Sequence, residues 1–367
     1  MAHIAFVVLP AAGHVNPTLP LVAELVRRGH RVTYAGGADH AAAITAAGAT
    51  ALPSGTGSVR PSGSLNDMML AGVEACRTVV PGLERTFTAD RPDLLCYDVL
   101  TPYAPLLAHR LGVPTVVTVP THASNATFSL HKLLIPADFD PSEYVAARAK
   151  LAADLGVPAE PPTPRRQIVF LPRRFQIAGD TFDDSYVFVG PTLADQHEDW
   201  RPPGRPVLFV SLGTVFNDRP DFFAACVTAF AGTDWHVAMA VGDQVDPGTL
   251  GRVPANFEIR PFFPQQNVLK YAAAFLTHAG MNSVMESLAR RVPMIAYPQT
   301  PEQTANARQL EALGLGRVLT DLADLAVTVT KVAGDKDIRA NLETMAQDLA
   351  EAGGAPAAAD AVEAAVP

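Results

Sequence analysis

The run Ala273-Ala-Phe-Leu-Thr277, continuing as His278-Ala-Gly-Met-Asn-Ser-Val-Met-Glu286 and followed by Pro293-Met-Ile-Ala-Tyr297, decides how the chain is read. Its first and last pieces are short apolar runs of strand length, and a helical stretch lies between them. Strand, turn, helix and strand in that order is the unit from which parallel sheets are built. Gly280 permits close backbone approach at the turn. The N–H groups of Met281, Asn282 and Ser283 lie where the helix begins, and such a place favours anions. His278 and the side chains of Asn282 and Ser283 add donors. Glu286, about one turn further on, suits the hydroxyls of a vicinal diol rather than a phosphate. Asn282-Ser283 alone would read as a helix cap with Glu286 facing solvent. His, Gly and Glu in register point instead to a diphosphate and ribose site.

The same alternation extends in both directions. Strands are predicted near 3–9, 31–35, 49–52, 93–97 and 114–119, with helices near 17–28, 39–47, 65–88 and 102–111. They recur near 206–211, 235–240, 256–259, 273–277 and 293–297, with helices near 219–231, 265–271, 281–290, 303–313 and 321–352. The polar, proline-bearing segment 190–204 divides the halves. The expected organisation is an N-terminal domain over 1–190, a linker over 191–205 and a C-terminal domain over 206–354. The tail over 355–367 either frays or forms a helix returning to the N-terminal domain. The fold class is α/β, with two Rossmann-like parallel sheets expected to face each other across a crevice, because ligands bind such sheets outside the carboxyl ends of the strands. The least periodic segments, 53–64 and 120–145, are read as loops at that crevice.

Length and composition agree. At about 150 residues per domain, 367 residues make two domains. With 48% hydrophobic and 18% charged residues, the chain can bury real cores. Its 28 Lys+Arg against 37 Asp+Glu give a net charge of −9, which argues against a broad surface for nucleic acid or anionic lipid. A polyanionic ligand must then be met by backbone dipoles and single placed side chains. Cys76, Cys96 and Cys226 have no paired spacing, so neither a disulfide framework nor a zinc cluster is suggested. No apolar run reaches the roughly 18 to 20 residues of a membrane helix, and the first strand lacks a basic leader. A cytoplasmic protein, monomer or homodimer, is expected.

A base is sought at the end of the first strand. There, Pro10-Ala-Ala-Gly-His-Val-Asn-Pro17 predicts a helix with Asn16 as N-cap and Pro17 at N1, leaving His14 in the preceding turn. A lone loop histidine equally suits a backbone hydrogen bond. Asp98, ending the strand Leu94-Leu-Cys-Tyr97, changes the balance, because a carboxylate beside imidazole fixes its tautomer and stabilises the imidazolium. In the second half, Ser211, Gly213 and Thr214 offer further phosphate contacts. Phe262 and Phe263 offer an aromatic face for a base beside the polar Gln265, and Glu302 with Gln303 can bind sugar hydroxyls. Gly-x-Ser-x-Gly, Gly-x-Gly-x-x-Gly and the P-loop pattern are absent, which disfavours hydrolase, dinucleotide oxidoreductase and NTPase readings. Asp138-Phe-Asp140 and Asp335-Lys-Asp337 resemble metal-binding Asp-x-Asp pairs, but neither follows an apolar strand, and both are read as loop or helix-surface acids.

Gly-His-Val-Asn-Pro at 13–17, Ser-Leu-Gly-Thr at 211–214, Pro-Gln at 264–265, the segment 278–286 and Pro-Gln-x-x-Glu-Gln at 298–303 together resemble the family 1 glycosyltransferases. The similarity is greatest to the bacterial macrolide and polyphenol glucosyltransferases. It implies the GT-B fold, with the acceptor in the N-terminal domain and the nucleotide sugar mainly in the C-terminal one. It also implies an inverting reaction that uses no metal and no cofactor beyond the co-substrate, UDP-glucose or a dTDP-sugar. Carried over by position, His14 is the base and Asp98 its partner. His278, Asn282 and Ser283 hold the diphosphate, Glu286 the ribose, and Glu302 with Gln303 the transferred sugar. Phe262 stacks on the base. The implied acceptor is a hydrophobic small molecule such as a macrolide, polyketide or flavonoid. The alternatives are a dTDP-deoxysugar transferase, a nucleotide-sugar epimerase on the same fold, and a nucleotide-sugar-binding auxiliary protein without turnover. The chain is somewhat shorter than such enzymes usually are, and the shortfall is expected near 53–70 and 122–150, on the acceptor side.

Overall fold

The computed structural model describes residues 1–52, 65–135, 138–158, 163–193, 200–215 and 217–367. The expected crevice loop at 53–64 and the middle of the expected linker, 194–199, lie outside them. The chain divides into two compact units, Met1–Ala194 with Ala352–Pro367, and Asp195–Glu351.

The first unit is built on seven parallel strands: β1 (His3–Val7), β2 (Arg31–Ala35), β3 (Thr50–Leu52), β4 (Leu94–Asp98), β5 (Thr115–Val119), β6 (Arg166–Val169) and β7 (Tyr186–Phe188). Their order is β3-β2-β1-β4-β5-β6-β7. The chain builds outward from β1 in one direction, returns, and continues from β4 in the other, so the order reverses between β1 and β4. Every residue of β1 and β4 is buried, as both-face coverage of a parallel sheet demands. Strands β6 and β7 were not expected. Only Ile168 and Val169 of Arg166-Gln-Ile-Val are buried, and β7 is a partly exposed edge, so neither carries an apolar run to read.

Two expectations in this unit are corrected. The segment after β1 is already helical at Ala12–Val15, continues as a 3-10 turn over Asn16–Thr18 and then as the helix Leu19–Arg27. Asn16 has helical backbone angles, and its N–H donates to the Ala12 carbonyl as the C-cap of the first helix rather than the N-cap of the next. Pro17 lacks the N–H that would continue the helical ladder, and this produces the tighter turn between the two helices. His14 therefore stands on a helical turn rather than in a loop. The segment 120–145, read as loop, contains the helix Leu130–Leu134 and the start of Ser142–Leu155. Asp140 begins that second helix by accepting hydrogen bonds from the Ser142 N–H at 2.9 Å and the Ser142 hydroxyl at 2.5 Å.

The tail forms the helix Gly354–Glu363 and belongs to the first unit. Ala358, Ala359 and Val362 enter the core with Phe6, Leu21 and Leu25. Arg28 clasps it from outside, donating to Asp360 at 2.6 Å and Glu363 at 2.7 Å.

The second unit has six parallel strands, β8 (Val207–Ser211), β9 (His236–Ala240), β10 (Phe257–Arg260), β11 (Ala272–Thr277), β12 (Met294–Ala296) and β13 (Gly316–Val318). Their order is β10-β9-β8-β11-β12-β13, again reversing at the centre, between β8 and β11. Strand β13 escapes a reading by propensity because it starts at a glycine. A Cβ there would stand 2.0 Å from the Met294 carbonyl oxygen, so close strand pairing excludes any side chain. The long helix expected at 321–352 is broken into Leu325–Gly334 and Lys336–Ala352. Asp335 at the break accepts from the N–H groups of Asp337 at 2.9 Å and Ile338 at 3.1 Å. Trp200, in the expected linker, is buried against Phe263 and His236, with its indole N–H donating to Glu258 at 3.0 Å. Among the described residues no helix is long and apolar enough to cross a membrane, and the three cysteines are buried and unpaired.

Val362→Asp places an uncompensated charge in the first core and is expected to cost about 3 kcal/mol or more, read as a lowered urea midpoint in chemical denaturation.

Candidate functional site

Each order reversal gathers polar residues at the carboxyl ends of its two central strands. In the first unit, Val7 of β1 is in register with Tyr97 of β4, so the segment after β1 lies beside Asp98. His14 Nδ1 donates to Asp98 Oδ2 at 2.7 Å. Asp98 is fully buried, and its other oxygen accepts the Leu100 N–H at 2.8 Å. A carboxylate can only accept, so Nδ1 carries the proton and Nε2 keeps its lone pair. The His14 side chain is 18% exposed, open enough to meet a substrate while its partner is sealed. Thr101 Oγ1 donates to the Asp98 carbonyl at 2.6 Å and fixes the strand end. This arrangement can accept a proton at Nε2 and stabilise the resulting cation.

In the second unit, Ser211 of β8 is in register with Thr277 of β11. His278 follows directly, against the turn at Gly213. Ser211 is buried and its hydroxyl accepts the Gly213 N–H at 3.2 Å, while Thr214 is exposed. The His278 ring is pushed down to about 4, chiefly by burial, against a weaker opposing contact with the Ser211 backbone. A ring so shifted is neutral at physiological pH and is suited to hydrogen bonding as an uncharged group rather than to acting as a cation. Gly280 starts the helix Met281–Ala289, and no side chain caps it. The first-turn N–H groups at Met281, Asn282 and Ser283 form the positive end of that helix. Ser283 is not the cap that its sequence position allows. It lies inside the helix, and its hydroxyl accepts from Gln265 Nε2 at 3.1 Å.

Glu286 is reached by the same amide, with Gln265 Nε2 donating to Oε2 at 2.6 Å and Gln266 Nε2 to Oε1 at 3.4 Å. Burial raises its carboxyl above the ordinary range, and these two hydrogen bonds oppose the shift. The result is an acceptor held in one orientation. The two phenylalanines separate. Phe262 is 57% exposed, whereas Phe263 packs on Phe209 and Trp200 and under Arg260. Phe262 is the more exposed ring, and Phe263 is half-buried. Gln303 is buried and its Oε1 accepts the Gln299 N–H at 2.7 Å, while Glu302 precedes it in the first turn of the helix Pro301–Ala312. Sequence reasoning missed Arg219, which donates to Gln299 Oε1 at 2.5 Å and to the Tyr297 hydroxyl at 3.2 Å, and it missed the buried Asn217 and Asn306. No local pattern surrounds any of the three. Among the described residues no group of three or more His, Cys, Asp or Glu could hold a metal ion.

Comparison with known proteins identifies the family. The model of the family described as UDP-glucoronosyl and UDP-glucosyl transferase matches residues 191–347. The NDP-glycosyltransferase YjiC of Bacillus licheniformis is 37% identical over 390 residues, covering 99% of this chain and 97% of that protein. The demethyllactenocin mycarosyltransferase of Streptomyces fradiae is 36% identical over 397 residues, covering 99% and 86%. Among solved structures, CalG4, the calicheamicin glycosyltransferase, superposes with a TM-score of 0.88 at 36% identity, covering 99% and 98%. The chain belongs to the family 1 glycosyltransferases and has the GT-B fold. It is an enzyme that moves a sugar from a nucleotide donor, with inversion and without a metal ion, as that family does.

Two buried imidazoles give a pH dependence. His122 in the first unit, stacked on Phe175, is also pushed down to about 4, mainly by burial. Below an unfolded value near 6.5 the unfolded chain takes up protons that the native state refuses, so stability falls as pH drops from about 6.5 towards 4, by up to about 3 kcal/mol per site. Urea unfolding at pH 7.5 and 5 should show this loss, and His122→Gln and His278→Gln should each flatten it.

Proposed function

We propose that the enzyme transfers glucose from UDP-glucose to a hydroxyl of a hydrophobic small molecule such as a macrolide, polyketide or flavonoid, with His14 as general base. The observation that carries the proposal is the 2.7 Å contact between His14 Nδ1 and the buried Asp98, because it leaves Nε2 basic and supports the imidazolium that follows. In the step proposed, Nε2 takes the proton of the acceptor hydroxyl while its oxygen bonds to the anomeric carbon. The bond from that carbon to the diphosphate oxygen breaks, and an α-linked donor yields a β-glycoside and a nucleoside diphosphate. Negative charge grows on the diphosphate as it leaves. His278, Asn282, Ser283 and the first N–H groups of the helix Met281–Ala289 are proposed to stabilise it, with Ser211, Gly213 and Thr214 nearby.

Glu286, held by Gln265, is assigned to the ribose hydroxyls, Phe262 to the base, and Glu302 with Gln303 to the transferred sugar. No cofactor beyond the nucleotide sugar enters. A second reading, a dTDP-deoxysugar as donor, is favoured by the likeness to a mycarosyltransferase. Product masses from a matrix of UDP- and dTDP-sugars against macrolide, flavonoid and polyketide acceptors decide between the two donors.

His14→Ala is expected to lower kcat by about 10² to 10⁴ while UDP affinity measured by calorimetry stays the same. Full activity in that variant would remove His14 from the mechanism. Asp98→Asn, which keeps the shape but removes the acceptor charge, should depress kcat in the same direction. Glu286→Gln should raise the donor KM and leave the acceptor KM unchanged.

A further inference from the structure

The His278 ring fills space that two side chains would otherwise need. A Cβ on Gly213 would stand 2.6 Å from its Nε2, and one on Gly280 would stand 2.4 Å from the same atom. The backbone on either side is left-handed, with φ 81° at Gly213 and φ 62° at Ala279. Alanine resists that conformation, so the turn at Ala279 persists only because its surroundings hold it.

Thr277 Oγ1 accepts the Ala279 N–H at 3.2 Å, as Ser211 Oγ accepts that of Gly213, and a buried asparagine holds the carbonyl of each turn. Asn306, from the helix that carries Glu302 and Gln303, donates Nδ2 to the Ala279 carbonyl at 2.9 Å. Asn217 donates Nδ2 to the Gly213 carbonyl at 2.9 Å. Carbonyls only accept, so both amides must face these turns with nitrogen. Both asparagines are at most 1% exposed, and among the described residues the Oδ1 atom of each is buried with no hydrogen-bond partner. His278 Nδ1 is likewise buried and without a partner among the described residues. The backbone makes room for this, since a Cβ at Gly242 would come 2.1 Å from Asn217 Nδ2. Each amide meets a turn carbonyl while its own oxygen goes unmet, so the pair adds little net stability and its effect is to hold the two turns in place.

We propose that Asn217 and Asn306 are positioning residues that clamp the two turns flanking His278, fixing its ring and the N–H groups after it for a nucleoside diphosphate. The proposal rests on the donor-site reading above. Asn306 also ties the helix of the sugar-contacting pair to the diphosphate turn, so both ends of the donor depend on one amide.

Calorimetry of UDP and dTDP, each alone, on the full-length enzyme tests this. Asn306→Leu, close in volume but without the donor, should weaken binding of the preferred nucleotide about tenfold. The donor KM should rise equally, with the acceptor KM unchanged. Ala279→Gly in the same chain should recover most of the loss, because glycine adopts positive φ without being held. A structural defect elsewhere in the helix would not respond to that second change. Unchanged nucleotide affinity in Asn306→Leu, with affinity lost in His278→Ala, would overturn the clamp and leave the donor site standing. Unchanged affinity in both variants would overturn the donor-site reading and the clamp with it. A loss that Ala279→Gly fails to recover would also overturn the clamp. Should Asn306→Leu not fold, Asn217→Ala is judged on nucleotide affinity by the same criterion.

Discussion

Parallel strands send all their carboxyl ends to one edge, and where the strand order reverses, the loops of the two central strands part in opposite directions. That constraint underlies everything else in each unit. In the first it brings the segment after β1 beside the end of β4, and so His14 onto Asp98, residues 84 apart in the sequence. In the second it brings the turn after β8 beside the end of β11, and so Gly213 onto His278. Neither pair has any local reason to meet. The sheet supplies it through register, Val7 with Tyr97 and Ser211 with Thr277.

Burial then sets the electrical character of these groups. The chain carries a net charge of −9, so the diphosphate proposed for it is met by single placed groups. His278 is kept neutral by desolvation, which suits a hydrogen-bonding role beside the positive end of a helix. Glu286 is held between desolvation, which favours the acid, and two amides, which favour the carboxylate. His14 differs. Its partner Asp98 is sealed while its own ring is partly open, so charge can form there when a proton arrives.

Much of the fold was legible because the central strands of a doubly covered sheet are continuous apolar runs. β1, β4, β8 and β11 are of this kind, and all were expected within a few residues of where they lie. What escaped were β6, β7 and β13, whereas the edge strands β3 and β10 were expected. β6 and β7 bury few of their residues, and β13 depends on a glycine whose only virtue is a missing side chain. The candidate site divides in the same way. His14, Asp98, His278 and Glu286 could be named because each ends a strand or follows a recognisable turn. Phe262 was singled out from Phe263 by the family resemblance, and their packing, Phe263 on Phe209 and Trp200, tells the inward ring from the outward one. Asn217, Asn306 and Arg219 had no such signal, because their partners lie in other turns.

By itself the sequence determined the alternation of strands and helices, the two α/β halves and the residue types at the strand ends, because these follow from local periodicity and from the chemistry of single side chains. Tertiary structure alone decided which of those residues touch, which imidazole stays neutral, which aromatic ring is exposed, and that the tail helix completes the first core rather than fraying. The reason is physical. Burial, register and hydrogen bonding between distant turns are properties of neighbours in space, and a sequence lists only neighbours along the chain.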